Sequence, residues 1–126
     1  MPQQDLSPSL PHVLVVEDKS LVRMMAVEML EEAGFVVSEA PHADAAWGIL
    51  KRRQADIRVL FTDIDMPGSM DGFVLAERVA DAWPHIGLVV TSGRRKLTDR
   101  EMPDSGQFLG KPYHSADLMQ VIRQAM

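Results

Sequence analysis

A chain of 126 residues without cysteine is long enough to form one hydrophobic core and has no disulfide or thiolate chemistry available. Its formal net charge of −5 argues against nucleic acid as the main partner, because a phosphate backbone requires a basic surface. The N-terminus lacks a basic region followed by an apolar stretch, and no apolar run approaches the ~20 residues of a membrane span. We therefore expect one domain in the reducing cytoplasm that binds neither nucleic acid nor membrane.

Apolar runs and amphipathic stretches alternate along the chain after a proline-rich leader. Residues 1–11 contain three prolines among Gln and Ser, so we predict a disordered leader before a domain over 12–126. Strands are predicted at 12–16, from 35 onwards, and at 57–62, 86–91 and 107–110, with helices at 19–33, 42–53, 72–82 and 115–125. Between the last two strands Pro103 prevents a long helix, so we predict that the fourth helix is short or irregular.

This alternation predicts an α/β fold in which helices cover both faces of a parallel sheet. Among the common doubly wound orders, the flavodoxin-like order 2-1-3-4-5 of a (βα)5 five-stranded sheet places the first and third strands side by side. Glu17 and Asp18 follow the first predicted strand, and Asp63 follows the third. The fold therefore predicts that these three carboxylates share one crevice at the carboxyl edge of the sheet.

Three carboxylates in one crevice repel each other. Unit charges ~5 Å apart interact by about 3 kcal/mol per pair at an effective dielectric of ~20, so the group must protonate or recruit a cation. Oxygen ligands with no His or Cys nearby suit Mg²⁺, or Mn²⁺ with the same ligand preference. The alternative is that acids at strand ends only cap the helices that follow them.

The ends of the other predicted strands also carry polar groups. Thr91 and Ser92 end the fourth strand, and Lys111 follows the fifth. An acid pair, a lone acid, a hydroxyl and a lysine thus recur in chain order, each at a strand end. This set resembles the receiver domain of two-component response regulators, and the resemblance runs from about His12 to the C-terminus.

The resemblance implies a phosphorylation site and a metal site. Asp63 would accept a phosphoryl group from a histidine kinase or a histidine phosphotransfer protein. The implied metal ligands are Glu17 through a water molecule, Asp18, Asp63 and the backbone carbonyl of Asp65. A receiver catalyses only its own phosphorylation and dephosphorylation, so we do not expect an enzyme that acts on other substrates.

The resemblance also implies three side chains that respond to the phosphoryl group. Lys111 and a hydroxyl would contact its oxygens. Ser92 is the expected hydroxyl because the small residue Gly93 follows it, and Thr91 is the alternative. Phe108, three residues before the lysine, matches an aromatic that turns inward on phosphorylation, although an ordinary core position is the alternative interpretation.

Some positions depart from the usual receiver pattern. Asp65 and Arg94 occupy positions that flank the path of the hydrolytic water in the family, and we hypothesise that they form an ion pair that controls water access. Ser69 adds a residue to the loop after Asp63, so the loop is expected to be longer than usual.

The first predicted helix has its apolar residues mostly on one face. On this basis we expect Met25 and Met29 to pack in the core, while Met24 lies off the main apolar face.

Four functions remain open from the sequence. The leading hypothesis is a stand-alone receiver that acts by contact with an unknown downstream protein, since no linker or second domain follows it. A phosphate sink for a kinase, or a receiver fold that never carries phosphate, would use the same scaffold. A phosphatase of the haloacid-dehalogenase type would also place acids at Asp63 and Asp65, but Pro67 stands where that group has Thr or Val.

Overall fold

Five parallel strands form a single sheet in the computed structural model of the chain, which describes residues 10–66, 68, 70–93 and 106–126. The strands are β1 (His12–Val16), β2 (Val36–Ala40), β3 (Val59–Asp63), β4 (Gly87–Ser92) and β5 (Gln107–Gly110). The helices in this part of the chain are α1 (Ser20–Glu32), α2 (Ala43–Arg53), α3 (Gly72–Ala82) and α4 (Ser115–Ala125). The predicted boundaries therefore differ from the observed ones by at most a few residues.

The sheet has the order β2-β1-β3-β4-β5, which confirms the predicted flavodoxin-like topology. β1 pairs with β2 on one side and with β3 on the other, so the chain reverses its direction of winding between β1 and β3. In open α/β sheets this reversal opens a crevice at the carboxyl ends of the strands, where ligands bind. The topology thus places the predicted acids at the switch point.

Alternate residues of the strands bury their side chains on opposite faces of the sheet. Leu14 and Val16 of β1 join a core cluster with buried residues of α2 and α3. Val13 and Val15 join a second cluster with buried residues of α1 and α4. This two-sided burial explains why the central strands β1 and β3 contain continuous apolar runs rather than alternating ones.

The buried face of α1 differs from the predicted one. Ala26 and Leu30 are the buried residues of this helix, whereas the side chain of Met25 is 50% exposed. The prediction that Met25 packs in the core is therefore wrong. Met29 is partly buried against the cluster that contains Leu30, which confirms the prediction for that residue. The physical reason is that apolar residues extend around more than one face of α1, so periodicity alone could not choose the face.

Two of the predicted segments lie wholly or largely outside the described residues. The leader falls largely within residues 1–9, and the short or irregular helix between β4 and β5 falls within 94–105. In the described part of the chain, no helix combines the length and the apolar character needed to cross a bilayer.

Candidate functional site

The carboxylates of Glu17, Asp18 and Asp63 meet at the carboxyl edge of the sheet. Glu17 and Asp18 follow directly after β1, and Asp63 is the last residue of the adjacent β3. One oxygen from each side chain can be chosen so that all three lie within 4.8 Å of one another. Because two parallel strands end at the same edge, the folding of β1 and β3 as neighbours is sufficient to create this group.

Lys111 brings a positive charge into the group of acids from the far side of the sheet. Its Nζ atom donates hydrogen bonds to Glu17 Oε1 at 2.6 Å and to Asp63 Oδ2 at 3.1 Å. The residue follows β5 directly, and the peptide bond to Pro112 is cis. The ammonium group therefore offsets part of the repulsion expected among the three carboxylates.

Burial and the hydrogen bond between Lys111 and Glu17 shift the pKa values of these two residues in opposite directions. Burial raises the pKa of Glu17, and so does the charge of Asp63, while the hydrogen bond from Lys111 partly opposes the increase. For Lys111, burial alone would lower the pKa, but the contacts with Glu17 and Asp63 outweigh it and the pKa is raised. Lys111 therefore remains a cation throughout the physiological pH range.

The acid group fits a hard divalent cation. Asp18 Oδ1 is buried and has no hydrogen-bond partner among the described residues. A buried carboxylate oxygen without a partner is costly unless a cation compensates it. The group also offers only oxygen atoms, which is the ligand set that Mg²⁺ prefers.

Both oxygens of the Asp63 carboxylate are held by hydrogen bonds. Oδ1 accepts from the backbone N–H of Asp65 at 3.1 Å, and Oδ2 accepts from Lys111. The side chain is therefore fixed in orientation at the end of β3. The metal-binding role of the Asp65 backbone carbonyl stays a prediction. The carboxylate of Asp65 accepts a hydrogen bond from Ser92.

The two candidate hydroxyls of β4 have different surroundings. Ser92 Oγ donates to Asp65 Oδ2 at 2.7 Å, so this hydroxyl lies at the site. Thr91 Oγ1 is buried and has no hydrogen-bond partner among the described residues. Arg94, the predicted ionic partner of Asp65, lies outside the described residues. Their ion pair stays a prediction.

Phe108 lies next to the site on β5. Its side chain is partly buried and packs against a small cluster formed by Ile64, Ala76 and Val90. The cluster includes Ile64, which directly follows Asp63 at the end of β3. The switch role of Phe108 stays a prediction.

Gly72 allows α3 to begin directly against the end of β3. A Cβ atom at this position would lie 1.7 Å from the carbonyl oxygen of Asp63 and 2.9 Å from Thr62 Oγ1. Its backbone N–H donates to the carbonyl of Ile64 at 3.2 Å, which closes the loop after Asp63. A side chain at this position would therefore displace the backbone of Asp63.

Arg23 supports the site although sequence reasoning missed it. One guanidinium nitrogen donates to the carbonyl of Glu17 at 2.8 Å, and Nε donates to Glu39 Oε1 at 2.9 Å. The side chain thus connects α1, the loop with the acid pair, and β2. The available signal was its position as the lone basic residue in a helix that is otherwise apolar and acidic.

Tyr113 also belongs to the surroundings of the site and was missed. Burial, and then the negative charges of Glu17 and Asp63, raise the pKa of its phenol to about 12. Its ring contacts Phe61 edge to face, with the centroids 5.8 Å apart. The only signal in the sequence was its place two residues after Lys111.

An apolar cleft of about 420 Å³ lies beside the acid group. Val22 and Met25 of α1 line one side, Pro112 and Tyr113 line the other, and Lys111 borders the cleft. The cleft therefore connects the exposed face of α1 with the cation of the site.

The sequence of the chain matches a known protein family. The model of the family described as "Response regulator receiver domain" matches residues 13–123. The chain is similar to the response regulator receiver protein CpdR of Brucella abortus (strain 2308), with 30% identity over 117 residues that cover 90% of this chain and 95% of that protein.

A segment of a sensor kinase and a solved receiver domain structure are also similar to the chain. The chain is 30% identical over 117 residues to a segment that makes up 12% of the sensor kinase CckA of Brucella abortus (strain 2308), and it covers 90% of this chain. The crystal structure of a response regulator receiver domain protein from Clostridium thermocellum superimposes with a TM-score of 0.85 and 25% identity, over 92% of this chain and 94% of that one.

Proposed function

Because the chain belongs to the response regulator receiver domain family, we propose that it accepts a phosphoryl group on Asp63 in a Mg²⁺-dependent reaction. The phosphoryl donor is a histidine kinase or a histidine phosphotransfer protein, and the phosphorylated chain signals through contact with another protein. The observation that carries the proposal is the Asp63 carboxylate, held between Lys111 and two further acids at the switch point of the sheet. The proposal places the protein in the cytoplasm together with its kinase.

The orientation of Asp63 suits it to act as the nucleophile. An oxygen of its carboxylate forms a bond to phosphorus while the bond between phosphorus and the histidine nitrogen of the donor breaks, and the electron pair stays on that nitrogen. The product is an acyl phosphate. Lys111, which already contacts Oδ2, compensates negative charge on the phosphoryl oxygens.

Glu17, Asp18 and Asp63 are the side chains that would hold the metal. When bound, Mg²⁺ neutralises charge that develops on the phosphoryl group. The unpartnered Oδ1 of Asp18 supports a direct role for this residue. The contact of Glu17 with Lys111 supports the expected indirect role of Glu17.

We assign the hydroxyl that contacts the phosphoryl group to Ser92 rather than Thr91. The hydrogen bond of Ser92 to Asp65, two residues after Asp63, supports this choice, because the hydroxyl then lies beside the loop that follows Asp63. Phe108 is the aromatic that we expect to move with it.

The exposed apolar residues of α1 are the surface that we assign to the phosphoryl donor. Leu21, Met24 and Met25 are each at least half exposed, and the cleft behind Met25 reaches Lys111. A donor histidine must approach Asp63 from outside, so its protein must contact residues at this edge. An exposed apolar group of this kind is typical of a protein contact.

Intact-mass spectrometry after incubation with acetyl phosphate tests the proposed function. We expect a Mg²⁺-dependent, alkali-labile phosphoryl adduct on the wild-type chain and no adduct on Asp63→Asn, because the amide is not a nucleophile for this reaction. Asp81→Asn, which removes an exposed acid at the end of α3, is the matched control and should be labelled like the wild type.

An adduct that persists in Asp63→Asn would contradict the assignment of the acceptor. Release of inorganic phosphate during the same incubation distinguishes a chain that is labelled and rapidly hydrolysed, as a phosphate sink would be, from one that is never labelled. The absence of both adduct and phosphate release would overturn the proposed function.

A further inference from the structure

The carboxylate of Asp65 holds the hydroxyl of Ser92 in the chain without phosphate. The distance of 2.7 Å between Ser92 Oγ and Asp65 Oδ2 is that of a hydrogen bond to a charged acceptor, which is about twice as strong as a bond between neutral groups. Ser92 is 3% exposed, so water competes little for this hydroxyl. The bond joins the end of β4 to the loop after β3.

Asp65 is itself anchored next to the acceptor residue. Its backbone N–H donates to Asp63 Oδ1 at 3.1 Å. Asp65 therefore connects the carboxylate of Asp63 with the hydroxyl of Ser92, through its backbone N–H on one side and its carboxylate on the other.

A serine hydroxyl has one proton to donate. In the proposed function this proton is donated to a phosphoryl oxygen on Asp63, but in the structure it is donated to Asp65. The two hydrogen bonds exclude each other. From this competition we propose that Asp65 is a positioning residue that retains Ser92 in the unphosphorylated arrangement and opposes its movement to the phosphoryl group. This inference rests on the proposed function.

A double-mutant cycle with beryllofluoride, a mimic of the phosphoryl group, tests this role. The dissociation constant of beryllofluoride would be measured in the presence of Mg²⁺ for wild type, Asp65→Ala, Ser92→Ala and the double variant. The Ser92→Ala background is essential, because Asp65 also repels an anion by its charge. Asp65 repels the anion whether residue 92 is Ser or Ala, but it can hold a hydroxyl only when Ser92 is present.

We expect Asp65→Ala to increase the affinity for beryllofluoride more in the presence of Ser92 than in its absence. The ratio of the two increases should be about tenfold or more, since a hydrogen bond to a charged group contributes at least that factor to an equilibrium. Asp65→Asn, which keeps an acceptor oxygen without the charge, should give a smaller ratio. Asp81→Ala removes a distant exposed acid and should change the affinity less than about twofold.

A measurement without metal or beryllofluoride provides an independent readout. Three-bond couplings from NMR report the χ1 rotamer of Ser92, which should be single in the wild type and averaged in Asp65→Ala. Circular dichroism would verify that the variants are folded, and Asp65→Asn serves if Asp65→Ala does not fold.

The outcomes separate the inference from the function. If the wild type binds beryllofluoride but Asp65→Ala gives equal increases in both backgrounds, Asp65 acts by charge alone and the inference is wrong. An unchanged Ser92 rotamer in Asp65→Ala would also overturn it. If the wild type does not bind beryllofluoride at all, the proposed function fails, and the inference fails with it.

Discussion

Lys111 carries a positive charge into a group of three carboxylates, and its hydrogen bonds show what a single residue contributes to the site. Lys111 follows β5 in the chain, but it contacts both Glu17, which follows β1, and Asp63, which ends β3. The three residues are remote in sequence, so this contact exists only because the strands end at one edge. The raised pKa of Lys111 keeps the ammonium charged while it is partly buried.

His12 leads to a prediction at the opposite edge of the sheet. Its side chain is buried, and Nε2 lies 2.8 Å from Ser38 Oγ. Burial, and then the charge of Arg53, lower its pKa below the ordinary value of 6.5, with partial opposition from Asp56. Because the folded pKa lies below the unfolded one, the stabilisation is present above the unfolded pKa and is lost as the pH falls.

We therefore expect the free energy of unfolding, measured by urea titration, to decrease between about pH 7.5 and about pH 5.5. His12→Gln should show a smaller decrease, because it removes the titrating group. If His12→Gln loses as much stability on acidification as the wild type, this assignment of the pH dependence is wrong.

At the scale of secondary structure, the two buried faces of the sheet made most elements predictable. The predicted bounds of α3, α4, β1 and β5 agree with the structure. The buried face of α1 was not predictable in the same way, because its exposed side also carries apolar residues. Helix periodicity identifies an apolar stripe but does not distinguish burial in the core from a surface kept for a partner.

Two substitutions on α1 test the assignment of its faces. Leu30 is fully buried, so Leu30→Ala should lower the free energy of unfolding by about 2–5 kcal/mol. Met25 is half exposed, so Met25→Ala should change it by less than about 0.5 kcal/mol. Urea titrations of both variants provide the comparison.

Similar losses in the two variants would contradict the exposed position of Met25. If Met25→Ala is as stable as expected, it is also the appropriate folded variant for measuring contact with a phosphoryl donor. Any loss of phosphotransfer in that variant would then reflect the surface and not the fold.

At the scale of the whole molecule, the proposed binding of Mg²⁺ by the acid group predicts a link between metal binding and stability. The folded chain brings Glu17, Asp18 and Asp63 together, whereas the unfolded chain separates them by up to 46 positions, the interval from 17 to 63. A cation that binds only the folded state stabilises it by mass action. The cost of keeping the acids together without a metal is part of the same balance.

We expect Mg²⁺ at ten times its dissociation constant to raise the free energy of unfolding by about 1.4 kcal/mol. Asp18→Asn should abolish the increase, because it removes a ligand, while Asp81→Asn should retain it. Urea titrations at matched ionic strength provide the measurement. An equal effect of Mg²⁺ on Asp18→Asn and wild type would show that the ion acts by general screening.

The residue types at the strand ends were sufficient to predict the fold class and the members of the acid group. Parallel strands in the order 2-1-3-4-5 must bring the ends of β1 and β3 together, so Glu17, Asp18 and Asp63 followed from topology alone. Arg23 and Tyr113 did not follow, because the side chain of a helix residue, or of a residue beyond a strand end, reaches the site only through a particular rotamer and packing.

From the sequence, this chain could be recognised as a parallel α/β receiver with an acid group, a hydroxyl and a lysine at one edge of its sheet, because hydrophobic patterning specifies the strands and the flavodoxin-like order brings their polar ends together. Three contacts became evident only in the folded chain: Lys111 pairs with both Glu17 and Asp63, Ser92 donates to Asp65, and α1 buries Leu30. These are contacts between atoms, and they depend on side-chain conformations that the pattern of residue types leaves open.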